Sequence, residues 1–123
     1  MDARVIAVVD DDQGIRMALR SLLRSVGYTV QLFADGPSFL ADADPTPPDC
    51  LVTDIQMPGM SGLDLQRAVR ARYPHLPVII VTAFPEEAIR KQAMADGARC
   101  FLSKPFDSEA ILRCLTEALD ETG

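Results

Sequence analysis

Cysteine is scarce in this sequence of 123 residues, which contains three of them, at positions 50, 100 and 114. Their spacing matches no metal-binding motif, so the cysteines give no indication of a metal site. Cys50 and Cys100 adjoin strand-like runs, and Cys114 falls on a helical apolar stripe. We therefore expect three buried free thiols, a state typical of proteins in a reducing cytoplasm.

Long apolar runs and concentrations of positive charge are also missing. No apolar run approaches the roughly 18 residues of a membrane span, and the first residues, Met1 to Arg4, lack a signal-peptide layout. The net charge is −6, from 12 basic and 18 acidic residues, and no basic stripe stands out. We expect a cytoplasmic location, no membrane partner and no direct nucleic-acid binding by this chain.

Apolar runs that fit β-strands recur along the chain. The composition, with 48% hydrophobic and 24% charged residues, is ordinary for a soluble globular domain. The continuous, β-branched run Val5–Val9 is typical of a strand buried on both faces, whereas the alternating run Tyr28–Phe33 indicates an edge strand. Further strands are predicted at residues 51–52, 77–81 and 99–102.

A helical pattern follows each predicted strand. In the first helix, apolar residues at positions 15, 19, 22, 23 and 26 have helical spacing, with Asp12 suited to the N-cap and Gly27 to the stop. Start signals for the other four helices occur at Pro37, Ser61, Pro85 and Asp107. Residues 44–49 are predicted to form a loop, because three prolines in four positions forbid regular structure.

Five strands that alternate with five helices indicate the α/β class and a single (βα)5 domain. Such a chain forms a doubly wound, parallel five-stranded sheet covered on both faces. We expect the flavodoxin-like strand order 2-1-3-4-5. No linker, repeat or low-complexity segment divides the chain, so one domain is expected over residues 1–123, with no effector domain in this chain.

Polar residues follow four of the five predicted strands. Asp10 and Asp11 end the first, Asp54 the third, Thr82 the fourth and Lys104 the fifth. In the expected order the first and third strands are neighbours, and their carboxyl ends line the crevice where such sheets bind ligands. At about 5 Å and an effective dielectric of roughly 20, each pair of carboxylates costs about 3 kcal/mol. Mg²⁺ would relieve that repulsion; the alternative is that the acids are helix caps and solvated charge.

These residues and the sequence around them resemble the receiver domain of two-component response regulators. The resemblance rests on Asp10-Asp11, the stretch from Asp54 to Gly62, Thr82-Ala83 and Lys104-Pro105-Phe106, and it covers about residues 4–120. Residues 52–58 and 104–106 are most similar to the FixJ-like branch of nitrogen-fixation regulators.

The resemblance implies that Asp54 accepts a phosphoryl group from a sensor histidine kinase in a Mg²⁺-dependent reaction. Asp11 and Asp54 would bind the metal through their carboxylates, Gln56 through its backbone carbonyl, and Asp10 through water. Such a domain is a signalling phosphoacceptor rather than an enzyme, although it can label itself from small phosphodonors and dephosphorylate itself.

The same resemblance implies a phosphorylation switch. Lys104 and Thr82 would contact the phosphoryl group, and Thr82 and Phe101 would rearrange in response. For Phe101 the alternative is a core aromatic residue on a strand. The implied outputs are a phosphorylation-dependent homodimer and a C-terminal DNA-binding domain outside this chain, as expected for transcription regulation.

Two other functions compete with this one. Asp10 and Asp12 form the Asp-x-Asp of haloacid-dehalogenase-type phosphohydrolases, but Gln13 and Gly14 fit that pattern poorly and no cap insertion is present. A receiver-like module that is never phosphorylated usually loses an acid or the lysine, and this chain keeps both. We therefore favour the phosphorylation switch.

Overall fold

Five parallel strands form one sheet in the order β2-β1-β3-β4-β5, as the sequence predicts. The computed structural model of the protein describes residues 4–42 and 46–122. The strands are β1 (Val5–Val9), β2 (Thr29–Phe33), β3 (Cys50–Thr53), β4 (Val78–Thr82) and β5 (Cys100–Ser103). The helices are α1 (Gln13–Ser25), α2 (Gly36–Leu40), α3 (Gly62–Arg72), α4 (Glu87–Ala95) and α5 (Ser108–Thr122). In the part of the chain so described, no helix is long and apolar enough to cross a membrane.

The sheet separates two apolar layers, because successive side chains of a strand point to opposite faces. On β1, Ala7 and Val9 pack with the buried side chains of α2, α3 and α4. Ile6 and Val8 pack with those of α1 and α5 on the other face. All four are inaccessible to solvent. Burying a Val or Ile side chain stabilises a fold by roughly 1.5–3 kcal/mol, so the central strands account for much of the stability.

Local hydrogen bonds fix the helix ends where the sequence predicts them. The Asp12 carboxylate accepts a hydrogen bond from Ile15 N (3.1 Å) and caps α1. Gly27, just beyond the end of that helix, has a φ of 98°, a backbone conformation that residues other than glycine rarely adopt. Ser61 and Asp64 form a capping box at the start of α3. These ends are set by near neighbours in sequence, which is why they could be predicted.

Several predicted boundaries are shifted by one or two residues, namely the bounds of β3, β4 and β5 and the starts of β2 and α4, and one prediction lies partly outside the described residues. α4 begins at Glu87 rather than at Pro85, because the N–H of Glu86 donates to Phe84 O (2.9 Å) and extends the preceding turn. β5 runs one residue further than predicted, since Ser103 stays in register with Thr82. Of the predicted loop at residues 44–49, residues 44 and 45 are outside the described part of the chain.

The prediction of three free thiols is right for one cysteine and wrong for two. Cys50 is free and fully buried, and burial raises the pKa of its thiol to about 12. Cys100 and Cys114 are joined by a disulfide, with their Cα atoms 6.3 Å apart. The reason is tertiary: β5 turns Cys100 towards α5, where both cysteines pack against the same apolar layer.

The start of α3 lies unusually close to the end of β3. Gly62 N donates to Ile55 O (2.8 Å). A Cβ atom at position 62 would overlap Asp54 O and would lie 2.7 Å from Ile55 Cα. Only glycine therefore allows the helix to begin against the backbone that carries Asp54.

We expect Gly62→Ala to lower the free energy of unfolding by about 1–3 kcal/mol, the usual cost of overpacking, because the obstructing atoms belong to the backbone. Urea denaturation would measure the change. Gly14→Ala is the matched control, since its new Cβ meets only the Asp12 carboxylate oxygen, at 3.1 Å. The free energy of unfolding of Gly14→Ala should differ from that of the wild type by less than about 1 kcal/mol, because the position is helical. Similar losses in both variants would contradict the steric argument.

Candidate functional site

Three carboxylates meet where β1 and β3 end. Val9 pairs with Thr53 across the two strands, and this register places the next residues, Asp10 and Asp54, side by side. Carboxylate oxygens of Asp10, Asp11 and Asp54 lie within 4.8 Å of one another. Asp10 and Asp54 are 2% and 7% exposed, whereas Asp11 is exposed. The cluster is therefore buried at its base and open to solvent on the Asp11 side.

Lys104 reaches this cluster from the end of β5. Its Nζ atom lies 2.7 Å from Asp10 Oδ2 and 3.2 Å from Asp54 Oδ2, and its side chain is 12% exposed. The backbone N–H of Lys104 donates to Thr82 O (2.8 Å), which anchors the residue to β4. The sequence predicted a role beside Asp54, and the structure shows that the shorter contact is with Asp10.

Burial and pairing act in opposite directions on these groups. Burial raises the pKa of the Asp10 carboxyl, and the hydrogen bond from Lys104 only partly offsets this effect. Burial also lowers the pKa of Lys104, but the hydrogen bond to Asp10 and the charges of Asp10 and Asp54 outweigh it and leave that pKa raised. A 2.7 Å contact is typical of a charge-assisted hydrogen bond, so we assign the Lys104–Asp10 pair as ionised.

Backbone donors orient the two buried carboxylates. Asp54 Oδ1 accepts hydrogen bonds from Ile55 N (2.7 Å) and Gln56 N (3.4 Å), which leaves Oδ2 directed at Lys104. Asp10 Oδ1 accepts from Asp12 N (2.9 Å). The two oxygens of Asp54 are therefore not equivalent, since one is held by the loop and the other belongs to the acid cluster.

Two contacts at the site were not predicted. Arg16 Nη1 donates to Asp10 O (2.6 Å), and Thr53 Oγ1 donates to Asp54 O (2.9 Å). For Arg16 the available signal was a long basic side chain within the first turn and a half of a helix that follows an acidic loop. For Thr53 there was none, because a threonine in a buried strand is ordinary. Both contacts fix the backbone that carries the acids.

Thr82 and Phe101 occupy the neighbouring strands β4 and β5. Thr82 is fully buried, and its Oγ1 accepts a hydrogen bond from Phe84 N (3.1 Å) in its own loop. Phe101 is in register with Ile80, and both side chains pack in the layer of α2, α3 and α4. Since Ile80 and Thr82 are two residues apart on one strand, Phe101 and Thr82 share a face of the sheet.

The arrangement has the properties of a site that binds a divalent cation and carries a nucleophilic carboxylate. Its donors are all oxygen atoms, a set that divalent cations such as Mg²⁺ prefer. Lys104 and the guanidinium group of Arg16 bring two positive charges to three carboxylates, so the described site keeps an excess of negative charge that a divalent cation would offset. The buried Asp54 Oδ2 is a candidate nucleophile. The ammonium group of Lys104 beside it could stabilise negative charge on the group that Asp54 receives.

Comparison with known proteins finds relatives over nearly the whole chain. A family model described as the response regulator receiver domain matches residues 6–116. The transcriptional regulatory protein FixJ of Azorhizobium caulinodans is 39% identical over 114 residues, which cover 93% of this chain and 54% of that protein. The transcriptional regulator NtrC of Salmonella typhimurium is 39% identical over 119 residues, which cover 97% of this chain and 25% of that protein. The chain thus spans about half of FixJ and a quarter of NtrC.

Solved structures agree with this result. A CheY-like receiver domain protein from Methanospirillum hungatei superposes with a TM-score of 0.92 at 26% identity, over 98% of this chain and 97% of that one. The chemotaxis protein CheY4 of Vibrio cholerae gives 0.88 at 32% identity, over 96% and 100%. The similarity therefore covers the whole fold, because each superposition includes nearly all of both chains.

We expect Lys104→Met to lower the free energy of unfolding of the metal-free protein by about 2–3 kcal/mol. The substitution leaves Asp10 and Asp54 buried without their cation, and the solvent-open side of the cluster keeps the loss below the roughly 3–5 kcal/mol of a fully buried pair. The matched control is Lys91→Met, at the only other lysine of the chain, which is exposed on α4. It should change stability by less than about 0.5 kcal/mol. Equal effects in urea denaturation would show that the pair contributes nothing.

Proposed function

This chain belongs to the family of response regulator receiver domains, and on that premise we propose that Asp54 accepts a phosphoryl group from a sensor histidine kinase. The observation that carries the proposal is the position of Asp54 Oδ2, which is buried in an acid cluster and lies 3.2 Å from Lys104 Nζ. Receiver domains are signalling phosphoacceptors rather than enzymes, and membership in the family removes the phosphohydrolase alternative. The never-phosphorylated module remains as the alternative that labelling tests.

The contacts of Asp54 support a division of labour between its two oxygens. Oδ1 is held by the N–H groups of Ile55 and Gln56, so Oδ2 is the atom that attacks phosphorus. The bond between phosphorus and the donor histidine nitrogen breaks, and the histidine keeps its electron pair. Lys104 then gives up its contact with the Asp54 carboxylate and forms one with a phosphoryl oxygen. The transfer depends mainly on positioning and charge neutralisation, as phosphoryl transfer generally does.

Mg²⁺ fits the same site. Asp10, Asp11, Asp54 and the backbone carbonyl of Gln56 would hold it, with Asp10 acting through water. When bound, it supplies positive charge that offsets the oxygens of the transferred group. Asp11 is the exposed member of the cluster, so the ion can enter from solvent without opening the fold.

The response begins at Thr82. In the structure its hydroxyl accepts a hydrogen bond from Phe84 N. After phosphorylation the hydroxyl turns and donates a hydrogen bond to a phosphoryl oxygen. That movement releases the loop before α4 and opens space beside Phe101, which lies on the same face and is partly buried. Burying the ring further would contribute roughly 1–3 kcal/mol, which shifts a two-state equilibrium about 5- to 150-fold.

The altered surface consists of α4, β5 and α5, which we call the output face. We propose that it forms a homodimer after phosphorylation or releases a C-terminal DNA-binding domain outside this chain. Support comes from FixJ and NtrC, which are named as transcriptional regulators and are longer than this chain. The protein would then act in the cytoplasm, in transcription regulation, together with its kinase.

Asp54 should be the only residue that is phosphorylated. Incubation with acetyl phosphate and Mg²⁺ should add one phosphoryl mass to the wild-type protein and none to Asp54→Asn, as measured by intact-mass spectrometry. Asp12→Asn is the matched control: the residue is two positions from Asp10, and asparagine caps a helix as well as aspartate does. It should be labelled like the wild type. Label on another residue of Asp54→Asn would overturn the assignment.

Mg²⁺ should stabilise the unphosphorylated protein. A concentration one hundred times the Kd contributes about 2.7 kcal/mol by ligand linkage, which raises Tm by several degrees. Asp11→Ala should abolish the rise, whereas Asp12→Asn, which also removes one negative charge from the same loop, should retain it. An equal rise in all three proteins would mean that the ion acts through general screening and not through ligation.

A further inference from the structure

The three cysteines occupy different environments. Cys50 is inaccessible to solvent, and burial raises the pKa of its thiol to about 12, so it is unreactive in the folded protein. Cys100 on β5 and Cys114 on α5 are only partly buried. Their Cα atoms lie 6.3 Å apart, within the 4.4–6.8 Å range of disulfides, and their sulfur atoms are bonded.

We propose that Cys100 and Cys114 form a reversible oxidation site whose oxidant is a low-molecular-weight disulfide. Disulfides of proteins in reducing compartments are usually transient and redox-sensing rather than structural. Partial exposure gives a small oxidant access to the pair, and the fold already holds the two side chains at bonding distance. The oxidation can therefore occur without rearrangement of the sheet.

The chemistry is two successive thiol–disulfide exchanges. The thiolate of one cysteine attacks a sulfur atom of the external disulfide, forms a mixed disulfide and releases one external thiolate. The second protein thiolate attacks the protein sulfur of that intermediate, closes the Cys100–Cys114 bond and releases the other external thiolate. Two electrons pass from the protein pair to the external disulfide, and the two protons of the protein thiols end on the released thiols.

The position of the pair indicates what oxidation does. Cys100 precedes Phe101 on β5, and the same edge strand leads into Lys104. Cys114 lies on α5 between Ile111 and Leu115, two side chains that hold this helix against the sheet. The disulfide thus ties together two of the three elements of the output face. Oxidation holds β5 and α5 at a fixed separation and reduces the response to phosphorylation; this regulatory part rests on the proposed function.

The oxidation site itself is tested without phosphorylation. The full chain is reduced, freed of reductant, incubated with oxidised glutathione, unfolded, alkylated with N-ethylmaleimide and weighed. We expect one label after oxidation and three before it, with the remaining label on Cys50. The oxidised form should also melt roughly 10 °C higher, as expected when a loop of about 15 residues is closed.

Single substitutions identify the partners. Cys50→Ser should still lose both remaining labels on oxidation, whereas Cys100→Ser and Cys114→Ser should form no internal bond and should instead gain one glutathione. A bond that includes Cys50, a bond between two chains, or three labels after oxidation in the wild type would each overturn the proposal. Because serine is close in size to cysteine, far-ultraviolet circular dichroism should confirm that all three variants fold.

The regulatory part is tested in Cys50→Ser, oxidised and reduced, with beryllofluoride as the phosphoryl mimic. Fluorine NMR reports binding of the mimic, and amide spectra report its effect on the output face. We expect binding in both states, at least twofold smaller amide shifts on α4, β5 and α5 in the oxidised state, and no redox dependence when Cys100 and Cys114 are also replaced by serine. Light scattering of the same samples reports dimer formation.

The outcomes separate the two proposals. Equal amide shifts in both redox states, with the mimic bound, would overturn the regulatory role and leave the proposed function intact. Failure of the mimic to bind in either state would count against the proposed function and the regulation together, while the disulfide measured by mass would stand.

Discussion

The structure depends on the balance of charge where β1 and β3 end. Register alone brings Asp10 and Asp54 together, and the fold buries both. Lys104 makes that burial tolerable by contacting each of them, at 2.7 and 3.2 Å. Because the lysine comes from β5, at the far edge of the sheet, the charge balance links the first, third and fifth strands. A change of charge at Asp54 consequently acts on the residue that follows β5, a strand of the output face.

Much of the fold followed from the sequence because it is encoded locally. The cap at Asp12 and the stop at Gly27 depend on residues a few positions away, and both were predicted. The strand order followed from the alternation of strands and helices and from the flavodoxin-like order expected of such a chain. At the site, the meeting of the three carboxylates could be predicted because parallel strands end at one edge.

What the sequence could not provide depends on the distance between elements. The shorter contact of Lys104 with Asp10 is set by the reach of one side chain past β4. The bond between Cys100 and Cys114 requires the separation of β5 and α5, to which composition and spacing gave no access. The steric need for Gly62 arises from the approach of two backbones. In each case the contact is set by how separate elements pack against each other.

The close approach at Gly62 also makes α3 and α4 differ in how firmly they are held near Asp54. The start of α3 rests on the backbone that follows β3, because Gly62 N donates to Ile55 O and the missing side chain of Gly62 leaves room for Asp54 O. That helix is therefore held against the backbone that carries Asp54. Thr82, by contrast, is joined to its loop by one hydrogen bond, from Phe84 N. The loop that leads to α4 is therefore held to this edge of the sheet less firmly than the start of α3 is.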